Sequence, residues 1–506
     1  MKQKQNRIWN GIERFGNRLP HPVYIFIILT VVVFVVSALC SSIEFPHPNT
    51  GEAQHISNLM SKEGLTWFLQ SMVENFVTFS PLGVTLVAML GIGIAEETGL
   101  VKTVIKSSIA GAPKFLVTAI VLLVGIMGSL AGSATFVIIP PLGAMIFRGM
   151  GRHPIAGLAT GFAGVAAGLS ANLMVTQTDI LLSGITQSAA QIYDPNYTVN
   201  PTVNWYFMAA STVMLTIVGT IIVEKVIEPR LGEYKVEEGE PGAIETEDTT
   251  LAAVTAEEKS GMKWAGIAVL VYLAILAITI VPKNGILRGE NGAIIESPFF
   301  SSMVPILTIF FLVAGLAYGI KTKVIKKSGD VVQLWGKSMA GLAGFVVLCF
   351  FAGQFVKAFA QSNLGLYLSV KGSEFLSGSS LTGAALIVGF ICITMLINFM
   401  IGSASAKWAL MAPIFVPMFM KLGFTPAFTQ AAFRIADSVT NAISPLEPFM
   451  PFIIMTALKY DRKSGLGSII ATMLPLVISF AISWIILILI WYKLNLPLGP
   501  GSSIFM

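Results

Sequence analysis

The sequence predicts an all-α, polytopic membrane protein built from two inverted-topology repeats joined by an acidic linker. Three observations carry this: a composition too apolar for a soluble chain, apolar runs of bilayer length, and an ordered set of glycines, serines and prolines that occurs once in each half. Of 506 residues, 54% are hydrophobic and only 12% charged, with a mean hydropathy of +0.77; soluble domains carry roughly 25% charged residues. Runs close to the ~20 residues that span a bilayer lie at 23–40, 206–227, 265–281, 303–320, 342–360, 383–401 and 468–492. The first is too long for a cleaved signal peptide, and Cys40-Ser41-Ser42 before Ile43 and Glu44 is a poor cleavage context.

Charge then orients the spans. Lys2, Lys4, Arg7, Arg14 and Arg18 face one acid, Glu13, in the first 21 residues, so the positive-inside rule puts that end in the cytoplasm. Lys102, Lys106 and Lys114, then Lys321, Lys323, Lys326 and Lys327, then Lys459, Arg462 and Lys463 mark further inside loops. Alternating spans leave the C-terminus outside. The net charge of +5 conceals an asymmetry: residues 228–258 hold ten acids and two strong bases, Arg230 and Lys235, so the rest of the chain carries an excess of 13 bases. Lacking apolar periodicity, 229–262 is expected to be a flexible cytoplasmic tether between an N-terminal half, 1–228, and a C-terminal half, 263–506.

Catalytic classes find little support. Cys40, Cys349 and Cys392 lie in or beside apolar runs without CxxC spacing, and His21, His47, His55 and His153 avoid the centres of the spans. Zinc and histidine chemistry are thereby disfavoured. Asp179 and Asp437 form a dyad on paper, but their serine, threonine and asparagine neighbours suit ion ligation better than acid–base work. No enzyme activity, no cofactor and no nucleic-acid partner is expected. A passive channel would need a continuous pore, to which broken helices are a poor match.

The repeat lies in "GSATFVIIPPLGAMIFRGMGRHP" (132–154) and "GSASAKWALMAPIFVPMFMKLGFTP" (402–426). Pro141 precedes Pro154 by the same 13 residues that separate Pro413 from Pro426, and Gly151 and Gly423 fall at the same place between them. Each block runs into a polar break: "SANLMVTQTD" (170–179) and "DSVTNAISPLEP" (437–448). A Gly-Ser-Ala turn at membrane depth is tolerated where protein or a wet cavity satisfies its backbone. Re-entrant hairpins are therefore expected at about 115–147 and 383–421, with tips near Ser133 and Ser403–Ser405. The first follows a basic stretch and the second an outward span, so the repeats face opposite ways, as in secondary transporters with helices broken near the midplane.

The breaks hold the chemistry. Thr425-Pro426 is a helix start, with a capping hydroxyl and proline in the first turn. Arg434 and Asp437, three apart on that helix, share a face. Charges at such depth mark pathways or partners. Asp437, Asn441 and Asn398 offer the oxygens an alkali cation needs. An unpaired Arg434 suits a substrate carboxylate, and Asp179, with Asn172 nearby, is the corresponding acid of the first break. Trp408 is a candidate platform for an aromatic substrate, or ordinary packing.

At these residues the chain resembles a known family. "IGSASAKWALMAPIFVPMFMKLGFTPAFTQAAFRIADSVTNAISPLEPF" and "GLSANLMVTQTDILLSGIT" look like the signature segments of the p-aminobenzoyl-glutamate transporter (AbgT) family, and the similarity runs essentially the whole length. The resemblance implies a bacterial inner-membrane homodimer with about nine transmembrane helices, two hairpins, and scaffold and transport domains that move in an elevator-like manner. It implies sodium- or proton-coupled transport of p-aminobenzoyl-glutamate, a folate catabolite, or efflux of sulfonamides and hence antibiotic resistance. It points to Asp179, Asn398, Ser405, Trp408, Pro426, Arg434, Asp437 and Pro445. Lys407 and Glu447 put charges where members are expected to vary; Glu447 could alter substrate or ion preference. The substrate's two carboxylates suit an arginine and helix N-terminal amides. A sodium-coupled dicarboxylate symporter, which also uses inverted repeats with hairpins, is the competing reading.

Overall fold

The computed structural model describes residues 22–46, 52–110, 113–131, 134–234, 254–289, 292, 297–378, 383–399, 401–444, 447–462 and 464–506. The expectations for the basic N-terminus, Ser133, Pro445 and most of the linker lie outside these. Among the described residues the chain is mainly helical, with one small hairpin, β1 (Glu44–Pro46) against β2 (Ala53–His55), in which Phe45 faces Gln54.

The first half contains α1 (Pro22–Leu39), α2 (Lys62–Val77), α3 (Ser80–Glu97), α4 (Leu100–Ala110), α5 (Val117–Ile126), α6 (Ala134–Gly149), α7 (Pro154–Phe162), α8 (Gln177–Ala190) and α9 (Trp205–Leu231). The second contains α10 (Ala256–Ile280), α11 (Met303–Lys321), α12 (Ser328–Gly341), α13 (Ala343–Gln361), α14 (Leu364–Gly378), α15 (Ala384–Asn398), α16 (Ala404–Lys421), α17 (Pro426–Val439), α18 (Met450–Leu458) and α19 (Leu466–Leu494). Six helical runs among the described residues are long and apolar enough to cross a bilayer. Five match runs read from the sequence; the sixth, Lys62–Glu97, does not. Its apolar part is confined to α3 and ends in Glu96 and Glu97, so no uninterrupted run announces it.

Helical structure reaches into both ends of the expected linker, 229–262. A π-turn at Val223–Ile227 carries α9 on to Leu231. Thr255 opens α10 with a capping box, its hydroxyl accepting from the Glu258 amide while the Glu258 carboxylate accepts from the Thr255 amide. Only 6% of the apolar stretch of α10 is buried. Leu270, Val271, Ile275 and Ile278 face outward, a surface that suits lipid or a second apolar protein face.

The two blocks read as a repeat fold into the same succession of elements. In the first, α5 and α6 form a pair of arms, α7 follows, a π-turn at Ala163–Ala167 interrupts the helix, and α8 begins beyond an irregular stretch. In the second, α15 and α16 form the arms, α17 follows, a 3₁₀ turn at Thr440–Ile443 ends it, and α18 begins beyond. Even the joints match. Gly151 and Gly423 both have positive φ, +73° and +88°. The amides just after them, Arg152 and Phe424, bond back to the Phe147 and Phe419 carbonyls at 2.8 and 2.9 Å. This is the Schellman ending, which places glycine in the left-handed region.

The two proline-started helices begin at opposite ends of α9. Arg152, just before α7, clamps Glu228 near the end of α9 with two bonds of 2.8 and 2.6 Å. Asn204, just before the start of α9, donates to the Ala427 carbonyl in the first turn of α17 at 2.8 Å. The C-terminal segment joins there too: the Thr425 amide bonds to Ile504 O, and the Phe207 amide to Leu498 O.

His153 caps α7, its Nδ1 accepting from the Ile155 amide at 3.2 Å. Burial holds this imidazole below its ordinary value of 6.5, against the opposing pull of Asp461 and Glu228. The unfolded chain therefore binds the proton more readily, and stability falls as pH drops through and below about 6.5. Protonation also removes the cap acceptor, at a cost of about 1 kcal/mol. His153→Asn keeps a capping side chain and should flatten this part of the pH dependence, read as melting temperature between about pH 7 and pH 5.

Candidate substrate and ion site at the helix breaks

Helix α17 is buried along its whole length, including Arg434 and Asp437 at 0% and 1% exposure. Thr425 caps its start, the hydroxyl accepting from the Phe428 amide. From this one helix, side chains reach both breaks and the arm of the second hairpin.

Arg434 is paired, contrary to the expectation of a free guanidinium. Its Nη1 lies 2.5 Å from Asp179 Oδ1, and its Nη2 donates to Ser170 O at 2.6 Å. Asp179 Oδ2 accepts from the Thr176 amide and hydroxyl, both at 2.7 Å, and from Asn172 Nδ2 at 3.0 Å. Asp179 thus closes the first turn of α8 and neutralises Arg434 at once. Ser438 ties the same break, accepting from the Ser170 amide at 3.1 Å. Arg434 Nε, Ser170 Oγ and Asn172 Oδ1 are buried here without a hydrogen-bond partner among the described residues. Buried polar atoms are normally paired, so these three mark a polar spot able to take a ligand group.

Asp437 serves a different partner. Although it shares a face with Arg434, its Oδ1 accepts from Lys407 Nζ of α16 at 2.6 Å. Lys407 Nζ also bonds to Asn398 Oδ1, at the end of α15. The Asn398 amide nitrogen lies 3.0 Å from Asp437 O, 2.6 Å from Thr440 Oγ1 and 2.8 Å from Asn441 Oδ1. The three residues expected to hold a cation do come together, with a lysine ammonium among them. Glu447 is buried in the following loop, close enough for the charges of Asp437 and Lys407 to act on it.

Trp408 is fully enclosed. It stacks on Phe433 with ring centroids 4.4 Å apart, and its indole N–H donates to Thr186 Oγ1 of α8 at 2.8 Å. Thr186 in turn reaches Gln430 Oε1 at 2.6 Å, and Gln430 Nε2 reaches Asn204 Oδ1 at 2.8 Å. The platform expected for a substrate ring is covered by a protein ring. Ser403, exposed, caps α16 by accepting from the Ala406 amide and lies 3.2 Å from the Ser405 hydroxyl. Pro426 occupies the first turn of α17 as expected.

A cleft of about 690 Å³, large enough for a small organic molecule, opens beside α3 and α8 and is lined by Ser80, Ser183, Gln187, Asn200, Val203 and Val304 among others. Ser183 and Gln187 lie one and two turns beyond Asp179 on α8, so one helix runs from the cleft to the buried ion pair.

The AbgT putative transporter family matches residues 7–506. The chain belongs to this family of membrane transporters. It is 39% identical over 501 residues to the p-aminobenzoyl-glutamate transport protein of Escherichia coli K12, covering 98% of this chain and 97% of that one. Two solved AbgT-family transporters share the fold. Alcanivorax borkumensis YdaH, described as having an unusual topology, superposes with a TM-score of 0.89 at 37% identity over 95% of this chain and all of YdaH. Neisseria gonorrhoeae MtrF, described within a class of antimetabolite efflux pumps, gives 0.91 at 41% identity over 98% of this chain and all of MtrF.

Several residues of this candidate site were not singled out by sequence reasoning: Ser170, Thr176, Thr186, Asn204, Gln430 and, as a site member, Lys407. Thr176-x-x-Asp179 has the spacing of a capping box and was findable. Lys407, a lone charge in an otherwise small and apolar arm, carried its signal openly.

Proposed function

We propose that this protein is a secondary carrier of the bacterial inner membrane for p-aminobenzoyl-glutamate and related aryl amines, sulfonamides included, driven by a proton or sodium gradient. The observation that carries the reading is Arg434: fully buried, held by Asp179 and a backbone carbonyl, yet with Nε unpartnered beside Ser170 and Asn172. A substrate carboxylate can compete with Asp179 for such a guanidinium, and the planar fork suits either. Substrate reaches it from the cleft along α8. The names given to the E. coli relative and to MtrF support the two substrate classes.

An inverted repeat is supported by α7 and α17 starting at opposite ends of α9. The apolar outer face of α10 and α11 suits a homodimer contact within a scaffold domain, against which the hairpin-bearing domain moves as an elevator. Coupling through sodium at Asn398, Asp437 and Asn441 meets an obstacle, since Lys407 already supplies the cluster with a cation.

The test is accumulation of radiolabelled p-aminobenzoyl-glutamate in proteoliposomes, with sodium and pH gradients imposed separately. Uptake above equilibrium that collapses with the matching ionophore is the expected result. Equilibration indifferent to both gradients rejects a coupled carrier. Flux of a sulfonamide without flux of p-aminobenzoyl-glutamate narrows the substrate to the aryl amine.

A further inference from the structure

Lys407 has no exposed surface, alone among the lysines of the described residues. Its ammonium sits in an oxygen shell: Asp437 Oδ1 and Asn398 Oδ1 in direct contact, with Asp437 O, Thr440 Oγ1 and Asn441 Oδ1 arranged around the Asn398 amide. That amide nitrogen faces three acceptors and has only two hydrogens, so it cannot serve all three at once. Asp437 Oδ2 has no partner among the described residues. The shell lies where α17 ends, and terminal carbonyls leave partial negative charge. A carboxylate, amide carbonyls, a hydroxyl and a backbone carbonyl at a broken helix are what a hard monovalent cation needs. In this chain the cation is covalently tethered. The charges acting on Lys407 are Asp437 and Glu447; Asp179, on α8, is engaged by Arg434, and Lys371 and Glu374, on α14, pair with each other at the surface.

We propose that the Lys407 ammonium is the resident cation of an alkali-ion site built by Asn398, Asp437 and Asn441, so that the wild-type carrier binds no sodium there and deleting the amine converts the cluster into a sodium site. The inference deepens the reading of a gradient-driven carrier, but its test needs no substrate and no transport.

Lys407→Ala leaves the Asp437 carboxylate buried without a counter-charge. Purified full-length Lys407→Ala should melt well below wild type in choline chloride. Sodium chloride at equal ionic strength should raise its melting temperature saturably, by about 2–3 °C at a hundredfold excess over the dissociation constant. Wild type should melt alike in both salts. Lys407→Ala/Asp437→Asn, which removes the carboxylate that contacts the ammonium, should ignore sodium. A folded Lys407→Ala that shows no preference for sodium over choline overturns the proposal. Should that variant not purify, binding of radioactive sodium to the wild type decides: saturable binding that Asn398→Ala or Asn441→Ala removes overturns the proposal, and no binding, or binding untouched by either change, supports it. Because transport is not read, failure here is distinct from failure of the carrier reading.

Discussion

Arg434→Ala is expected to destabilise the protein by roughly 3–5 kcal/mol and to abolish transport, because it strands a buried Asp179 carboxylate without its counter-charge. Asp179 would keep its bonds from Thr176 and Asn172, so the start of α8 should survive while the link between α8 and α17 is lost. The double change Asp179→Asn/Arg434→Met removes both charges at similar volume, and buried pairs replaced in this way are often neutral for stability or better. Melting temperature should therefore recover most of the loss. Uptake should not recover if the guanidinium reads a substrate carboxylate. A double variant that is both stable and fully active would reduce Arg434–Asp179 to a structural tie.

Trp408→Ala is expected to cost about 3–5 kcal/mol, the usual range for emptying a buried tryptophan site. Its stack on Phe433 and its bond to Thr186 join α16, α17 and α8 at a single point. Trp408→Phe keeps a ring against Phe433 but removes the indole donor and part of the buried ring volume, a loss of about 1–3 kcal/mol. Because the ring faces Phe433, the KM for p-aminobenzoyl-glutamate should change little in Trp408→Phe. A large rise in KM at unchanged melting temperature would return Trp408 to direct substrate contact.

Much of the architecture was legible in advance. Gly151 and Gly423 could be matched because a Schellman turn demands a left-handed residue at a fixed distance from the helix end, and a proline helix start follows it. The polar breaks were legible because oxygen-rich stretches cannot continue an apolar span. The helix at Lys62–Glu97 was not, because its apolar portion is short and flanked by acids. Nor was the helical structure at both ends of the acidic linker, where a π-turn on one side and a capping box on the other outweigh composition.

Residue chemistry and spacing along the chain thus determined where the apolar runs lie, where helices break, and that both halves carry the same ordered glycines and prolines. Local rules suffice for this, since caps, turns and insertion costs depend on neighbours within a few residues. Which charge meets which was decided by tertiary structure alone. Helical spacing puts Arg434 and Asp437 on one face but is silent about what faces them. Packing brings Asp179 to the first across 255 positions and Lys407 to the second across 30. Each buried charge takes the counter-charge that the packed backbone presents, so Arg434, read from the sequence as free, and Asp437, read as a cation ligand, each stand in an internal ion pair.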